Sequence, residues 1–229
     1  RRERRVESEG WLNLTMIYQE WFNLSPEEIP ANLPLSERIE NYIRPNDRVL
    51  DIGCGDGRLY GFFASKGCFY YGIDVNRSAI EAAQRRFHKD GNTFLATTAE
   101  DTGLLSASFE ILIAQGILAC MDLEGRTKAV EEMRRVAKVG AILHITELNL
   151  LNDKPYYQAQ RQKTKEYGTV MERPDGTTFG YTTHHFSRGE LGGLLGRDWK
   201  ILVEEYPLLT TRNGNQYPAQ RLIVQKINC

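Results

Sequence analysis

The chain has 229 residues, 41% hydrophobic and 26% charged, with a net charge of -1. This length holds one generous α/β domain, and the balance excludes disordered, fibrous and disulfide-scaffold classes and any global attraction to nucleic-acid phosphates. The scattered Cys54, Cys68, Cys120 and Cys229 show no C-x-x-C spacing, and no apolar stretch approaches the ~18 residues a membrane helix needs, so a cytoplasmic monomer or homodimer is expected.

In chain order, Arg1 to Arg5 read as a solvated basic end. Trp11, Leu14, Tyr18, Trp21 and Phe22 then recur at roughly helical spacing, and Ser25-Pro26-Glu27-Glu28 carries the cap, N1 proline and acidic first turn of another helix. Residues 1–47 are therefore expected to form a helical cap. From 48 to 147, apolar β-rich runs alternate with helical patterns, the signature of βαβ units around a parallel sheet. Strands are expected at 49–52, 69–73, 94–96, 111–114 and 141–146. One helix carries Ile80, Ala83 and Phe87 after a cap at Asn76 or Ser78. Another carries Val130, Met133 and Ala137 before Gly140. Residues 148–186 read as a lid with some helix near 156–167 and a turn at Arg173-Pro174-Asp175-Gly176. In 187–229, Ser187 is expected to cap a short helix with Leu191, Leu194 and Leu195, followed by a pair of strands near 201–203 and 221–224.

The informative stretch is Val49-Leu50-Asp51-Ile52-Gly53-Cys54-Gly55-Asp56-Gly57, three alternating glycines between a buried strand and a helix. Glycines there permit positive φ and let a ligand lie against the main chain. The spacing is G-x-G-x-G, unlike the G-x-G-x-x-G of dinucleotide sites, which favours a nucleoside over a pyrophosphate and argues against a nicotinamide dehydrogenase. Asp51, at the strand end, is placed to meet a cationic amino group directly or through water. Asp74 closes the second strand, where a carboxylate can accept both hydroxyls of a ribose.

Together with Thr98-Ala99-Glu100-Asp101 after the third strand and Ser108-Phe109-Glu110 before the fourth, these residues resemble the class I S-adenosylmethionine-dependent methyltransferases, particularly the ubiquinone-biosynthesis-like group, over roughly residues 48–147. The resemblance implies a Rossmann-like methyltransferase fold, with a central, mostly parallel seven-stranded sheet, one antiparallel C-terminal strand and helices on both faces. It also implies S-adenosylmethionine as methyl donor and S-adenosylhomocysteine as product. Asp51, Gly53, Cys54 and Gly55 would surround the methionine moiety, Asp74 and Val75 the ribose, and Thr98, Ala99 and Glu100 the adenine. Gln115 and Gly116 would face the sulfonium side. Apart from the resemblance, the cluster of Trp11, Tyr18, Trp21 and Phe22 either closes over the cofactor, with Tyr18 as the contacting residue, or packs on the sheet. Three departures stand out: Thr98 where the family often has Asp, Ala119-Cys120 where a histidine pair is frequent, and Lys138-Val139-Gly140 where Pro-Gly is preferred.

Transfer from a sulfonium needs alignment and exclusion of water more than acid or base help. Where the acceptor requires a base, His184 and His185 are the candidates, with packing and solvation beneath the lid as their alternative. Glu147, at the carboxyl end of the fifth strand, either orients an acceptor or serves the structure. His144 reads as a core histidine and His88 as a helix-end surface residue. Tyr156, Tyr157 and Tyr181 could wall an apolar acceptor. No metal-ligand spacing is present, and no Asp/Asn-Pro-Pro-Tyr segment follows the fourth strand. A small-molecule acceptor methylated at oxygen, nitrogen or carbon is expected. The alternatives are an RNA or protein substrate, reached through Arg1 to Arg5 and Arg161 to Lys165, and a non-catalytic cofactor-binding subunit.

Overall fold

The computed structural model describes residues 33–87, 93–150, 167–172, 178–210 and 216–228. A 3-10 turn, Glu37–Tyr42, leads into β1 (Arg48–Ile52), α1 (Tyr60–Ser65), β2 (Phe69–Asp74), α2 (Arg77–Phe87), β3 (Thr93–Ala96) and β4 (Phe109–Gln115). A second 3-10 turn, Leu118–Cys120, precedes α3 (Leu123–Val136) and β5 (Ala137–Leu148). There follow β6 (Tyr167–Glu172), β7 (Thr178–Thr183), α4 (Glu190–Leu195), β8 (Trp199–Glu205), β9 (Leu208–Thr210) and β10 (Gln216–Lys226).

The main sheet runs β3-β2-β1-β4-β5-β10-β8, with β9 added to β10. Strands β1 to β5 pair in parallel, and β10 is antiparallel to β5, β8 and β9. The seven-stranded path with one reversed C-terminal strand is the expected one, and β9 is an eighth strand that the sequence reading lacked.

Period-two alternation distributes each strand between two cores. Leu50, Ile52, Leu112, Ala114, Leu143, Ile145, Leu222 and Val224 face α3 and α4, which contribute Met133, Val136, Leu191 and Leu195. Val49, Ile111, Ile113, Ile142 and Ile223 face the opposite layer, packed by Ile39, Phe63, Ile80 and Ala83. Helices therefore cover both faces. Asn76 caps α2, its Oδ1 accepting from Ala79 N at 3.1 Å, and Asp122 caps α3 by accepting from Gly125 N at 2.8 Å.

Several expected boundaries move. The helix before the fifth strand ends at Val136, and Ala137 already belongs to β5, paired with Phe109. Residues 138–140 bulge outward before pairing resumes at Ile142, and Gly140 (φ 85°) supplies the turn of that bulge. Lys138 closes the departure by pairing with Glu110. Gly189, with φ 81°, occupies the cap position of α4 that was expected for Ser187. Ser187 still serves the helix start, because its N and Oγ both donate to Glu190 Oε2 at 2.8 Å. In the lid region, β6 and β7 form an antiparallel hairpin around the expected turn, so Tyr167 lies in a strand where helix was expected. The N-terminal aromatic cluster with Tyr18, His88, most of the expected lid helix with Tyr156 and Tyr157, and the turn residues 173–177 lie outside the described residues.

Candidate cofactor cleft

A cleft opens at the carboxyl ends of β1, β2 and β4, where the sheet order reverses direction across β1 and β4 and open α/β folds bind their ligands. Its floor is the glycine turn after β1. Gly53 has φ 78°, and a Cβ there would lie 2.4 Å from Ile117 Cγ2, so the position tolerates no side chain. Gly55 has φ 56° and open space where a Cβ would sit, leaving its backbone bare to the cleft. Its N–H donates to Asp74 Oδ2 at 2.8 Å, while Asn76 N donates to Asp74 Oδ1 at 2.8 Å. Asp74 therefore arrives in a fixed orientation. Burial pushes its carboxyl up from the ordinary range, and the backbone donors of Asn76, Gly55 and Val75 work against that rise.

The structure brings Gly53, Cys54, Gly55, Asp74, Val75, Ala99, Gln115 and Gly116 together in the wall of this cleft. Cys54 is a buried packing thiol, pushed well up by burial, and it fills the space that Gly72 leaves open. Three other expected contacts stand elsewhere. Asp51 is out of phase with Leu50 and Ile52, so it points into the opposite layer, where its Oδ2 accepts from the Tyr70 hydroxyl. Burial raises its carboxyl to about 6, with the Tyr70 bond and the charge of Arg58 pulling down. Thr98 is buried, its Oγ1 accepting from Asp101 N at 3.2 Å in a turn that presents Ala99 to the cleft. Glu100 is likewise not part of the described wall, its Oε1 lying instead beside Gly125 at the start of α3.

The expected catalytic residues sit behind or beside the wall. Glu147 is 1% exposed, and its two oxygens accept from Leu118 N at 2.9 Å and Ala119 N at 3.0 Å. Burial raises its carboxyl to about 7 despite those donors and the N–H of Ile117. It thus anchors the turn that carries Ile117, Cys120 and Met121 into the cleft. Arg126 Nη1 grips the same turn through Met121 O at 2.5 Å, and His184 N through Ala119 O at 2.8 Å. The His184 ring stacks edge-on against Phe186, with Nε2 2.5 Å from Glu190 Oε1. His185 Nε2 lies 3.4 Å from Thr183 Oγ1. His184 ties the segment after β7 to α4, His185 stays beside β7, and both imidazoles stand outside the described cleft wall. His144 is fully buried, accepts from Ser36 N at 3.1 Å through Nε2, and is pushed down to about 3 by burial and by the charge of Arg221.

The wall also holds residues that the sequence reading did not single out, chief among them Leu33, Arg58, Asn76, Thr97, Ile117 and Met121. Arg58 directly follows the glycine run, and its Nη2 donates to Gln115 Oε1 at 2.8 Å, a proximity that local pattern does not reveal. Leu33 reaches the wall through a polar latch at the far side of the sheet. Arg221 Nη2 donates to Pro34 O at 2.7 Å and Nη1 lies 3.2 Å from Glu205 Oε2, while Ser36 Oγ donates to Glu205 Oε1 at 3.3 Å. Among the described residues no cluster of His, Cys, Asp and Glu could hold a metal ion, and no helix is long and apolar enough to cross a membrane.

The sequence matches the methyltransferase domain family over residues 49–140. The crystal structure of a SAM-dependent methyltransferase from Methanosarcina mazei is 30% identical and superposes with a TM-score of 0.76, covering 85% of this chain and 99% of that one. A ubiquinone biosynthesis O-methyltransferase from Hahella chejuensis is 30% identical over 108 residues, 46% of this chain and 44% of that protein. A ribosomal protein L11 methyltransferase from Thermotoga neapolitana is 25% identical over 146 residues, 59% of this chain and 53% of that protein. The chain thus spans about half the length, or less, of the curated relatives it matches.

Proposed function

The chain belongs to the S-adenosylmethionine-dependent methyltransferases, and from that membership we propose that it transfers a methyl group to a small-molecule acceptor at oxygen, nitrogen or carbon. The observation that carries the cofactor assignment is the Gly55–Asp74 pair, a bare backbone beside a carboxylate whose orientation is set by backbone donors. An adenosyl group fits this cradle. Asp74 offers acceptor oxygens to ribose hydroxyls, and Ile73, Val75, Ala79, Ala99 and Met121 supply apolar surface for a base. Bound S-adenosylmethionine supplies a methyl on an already activated sulfonium leaving group, so the chain's contribution is alignment and exclusion of water.

Glu147, Arg126 and the His184 N–H hold the 117–121 turn in place, and that turn supplies Ile117, Cys120 and Met121 to the cleft wall. The segment after β7 runs along this turn through His184 N to Ala119 O at 2.8 Å and then beside the end of β5 through Phe186 N to Leu148 O at 2.9 Å, which favours a covered acceptor over an open macromolecular surface. Among the described residues, Arg134 pairs with Asp198, Arg135 with Glu132 and Lys138 with Glu110 at the opposite end of the sheet, so these three cations are not free for a phosphate backbone. The test is incubation with S-adenosylmethionine labelled in the methyl group, a cell extract as acceptor pool, and separation by size. Label in the small-molecule fraction supports the proposal. Label in RNA or protein replaces it, and turnover in no fraction favours a cofactor-binding subunit.

A further inference from the structure

The sheet order tells the two ends of the cleft apart. Ala99 follows β3, Asp74 ends β2, Gly55 follows β1 and Gly116 follows β4, so these wall residues run along neighbouring strands in that sequence. With a base against Ala99 and a ribose on Asp74, the sulfonium end of an adenosyl group extends towards Gly116. Leu33 stands past that point. It lines the cleft and packs with Leu209 and Ala219, and Ala219 belongs to β10, beyond β4 and β5 in the sheet.

At that end an aliphatic side chain lies against bare backbone. Gly116 has φ 71°, and a Cβ there would lie 3.1 Å from Leu33 Cδ1. Both partners hang from Thr146, a fully buried residue of β5. Its carbonyl accepts from Gly116 N at 2.8 Å and its Oγ1 accepts from Arg221 Nε at 3.4 Å, while Arg221 Nη2 donates to Pro34 O, next to Leu33, at 2.7 Å. His144 Nε2 adds a second tether to the same segment by accepting from Ser36 N at 3.1 Å. A side chain fixed to the same frame as the backbone it covers sets a constant width, and close-packed apolar walls respond to a single methylene.

We propose that Leu33 is a specificity residue that measures the alkyl group on the sulfonium, leaving room for methyl and not for ethyl at the Gly116 end of the cleft. The inference rests on the reading of the cleft as the cofactor site.

Calorimetry on the full chain tests it with S-adenosylmethionine and S-adenosylethionine, which differ by one methylene on the sulfur, and with S-adenosylhomocysteine, which carries no alkyl group there, as reference. Wild type is expected to bind the methyl sulfonium at least roughly tenfold more tightly than the ethyl one, the discrimination that one methylene brings in a fitted apolar pocket. Leu33→Ala should bring the two sulfonium ligands within about threefold of each other, with Leu33→Val between it and wild type. Leu33→Met, which keeps the volume, should hold the wild-type preference. The milder Leu33→Val supplies the readout should Leu33→Ala not fold. A wild-type protein that binds both sulfonium ligands equally overturns the gate. So does a preference that survives the truncations while all three affinities fall together, since Leu33 then only packs. Failure of folded wild-type protein to bind S-adenosylhomocysteine defeats the cofactor reading, and the gate with it.

Discussion

The backbone N–H of Gly55 donates to Asp74 Oδ2 at 2.8 Å, which ties the turn after β1 to the acid that ends β2. One residue therefore both shapes the glycine turn and presents a carboxylate to the cleft. Asp74→Ala is expected to weaken S-adenosylhomocysteine binding by roughly 10- to 150-fold, the equivalent of about 1.5–3 kcal/mol of lost charge-assisted hydrogen bonding. Asp74→Asn, which keeps an acceptor oxygen, should fall between wild type and Ala. Calorimetry reads both, and equal affinities in all three proteins would contradict the assignment of Asp74 to the ribose.

Gly53→Ala is expected to destabilise the fold by roughly 2–4 kcal/mol, because it adds strain at positive φ to a collision with Ile117. The partner variant Ile117→Ala removes the collision and leaves the strain, so Gly53→Ala/Ile117→Ala should lose less than the sum of the two single changes. Denaturant unfolding measures the cycle, and strict additivity would show that the contact does not matter.

Much of this site is legible in sequence because it is local. The glycine run, the acid after β2 and Ala99 all sit at strand ends whose hydrophobic runs are plain. Asp51 shows how a correct strand still misplaces a side chain, since one step of alternation turns it from the ligand edge into the packed layer beside Tyr70. Leu33 and the partner of Arg58 escaped because tertiary folding sets them: Leu33 packs with Leu209 and Ala219 from the far end of the chain, and Arg58 meets Gln115. The β6–β7 hairpin escaped because its polar and aromatic residues lack the clean alternation of a buried strand.

Arg221 and Leu33 give a long-range prediction. Arg221→Met removes the donor to Pro34 O and a partner of Glu205, freeing the segment that seats Leu33 in the cleft wall. The affinity for S-adenosylhomocysteine should fall roughly threefold to tenfold, and the loss should largely vanish in a Leu33→Ala background, where the side chain being positioned is gone. Full additivity of the two changes would show that Arg221 acts on stability alone.

Glu147 and His144 carry opposite pH dependences. The Glu147 carboxyl lies at about 7 in the fold against an ordinary 4.5, so its contribution is fully present below pH 4.5 and is lost as pH rises through 7. Glu147→Gln should remove that decline, worth on the order of 3 kcal/mol across the window. His144 lies at about 3 against 6.5, so its contribution is present above 6.5 and is lost as pH falls towards 3. His144→Asn, which can still accept from Ser36 N, should therefore flatten the acid limb. Denaturant unfolding from pH 4.5 to 8 separates the two, and a variant profile parallel to wild type would contradict the corresponding assignment.

The cleft between the glycine turn and the 117–121 turn is the proposed seat of the methyl donor. Calorimetric titration of wild-type protein and Asp74→Ala with S-adenosylmethionine and S-adenosylhomocysteine tests it most directly. Saturable one-to-one binding of both ligands to wild type and weakened binding of both to Asp74→Ala are expected. Absence of binding to a well-folded wild-type protein, or equal binding by the variant, would contradict it.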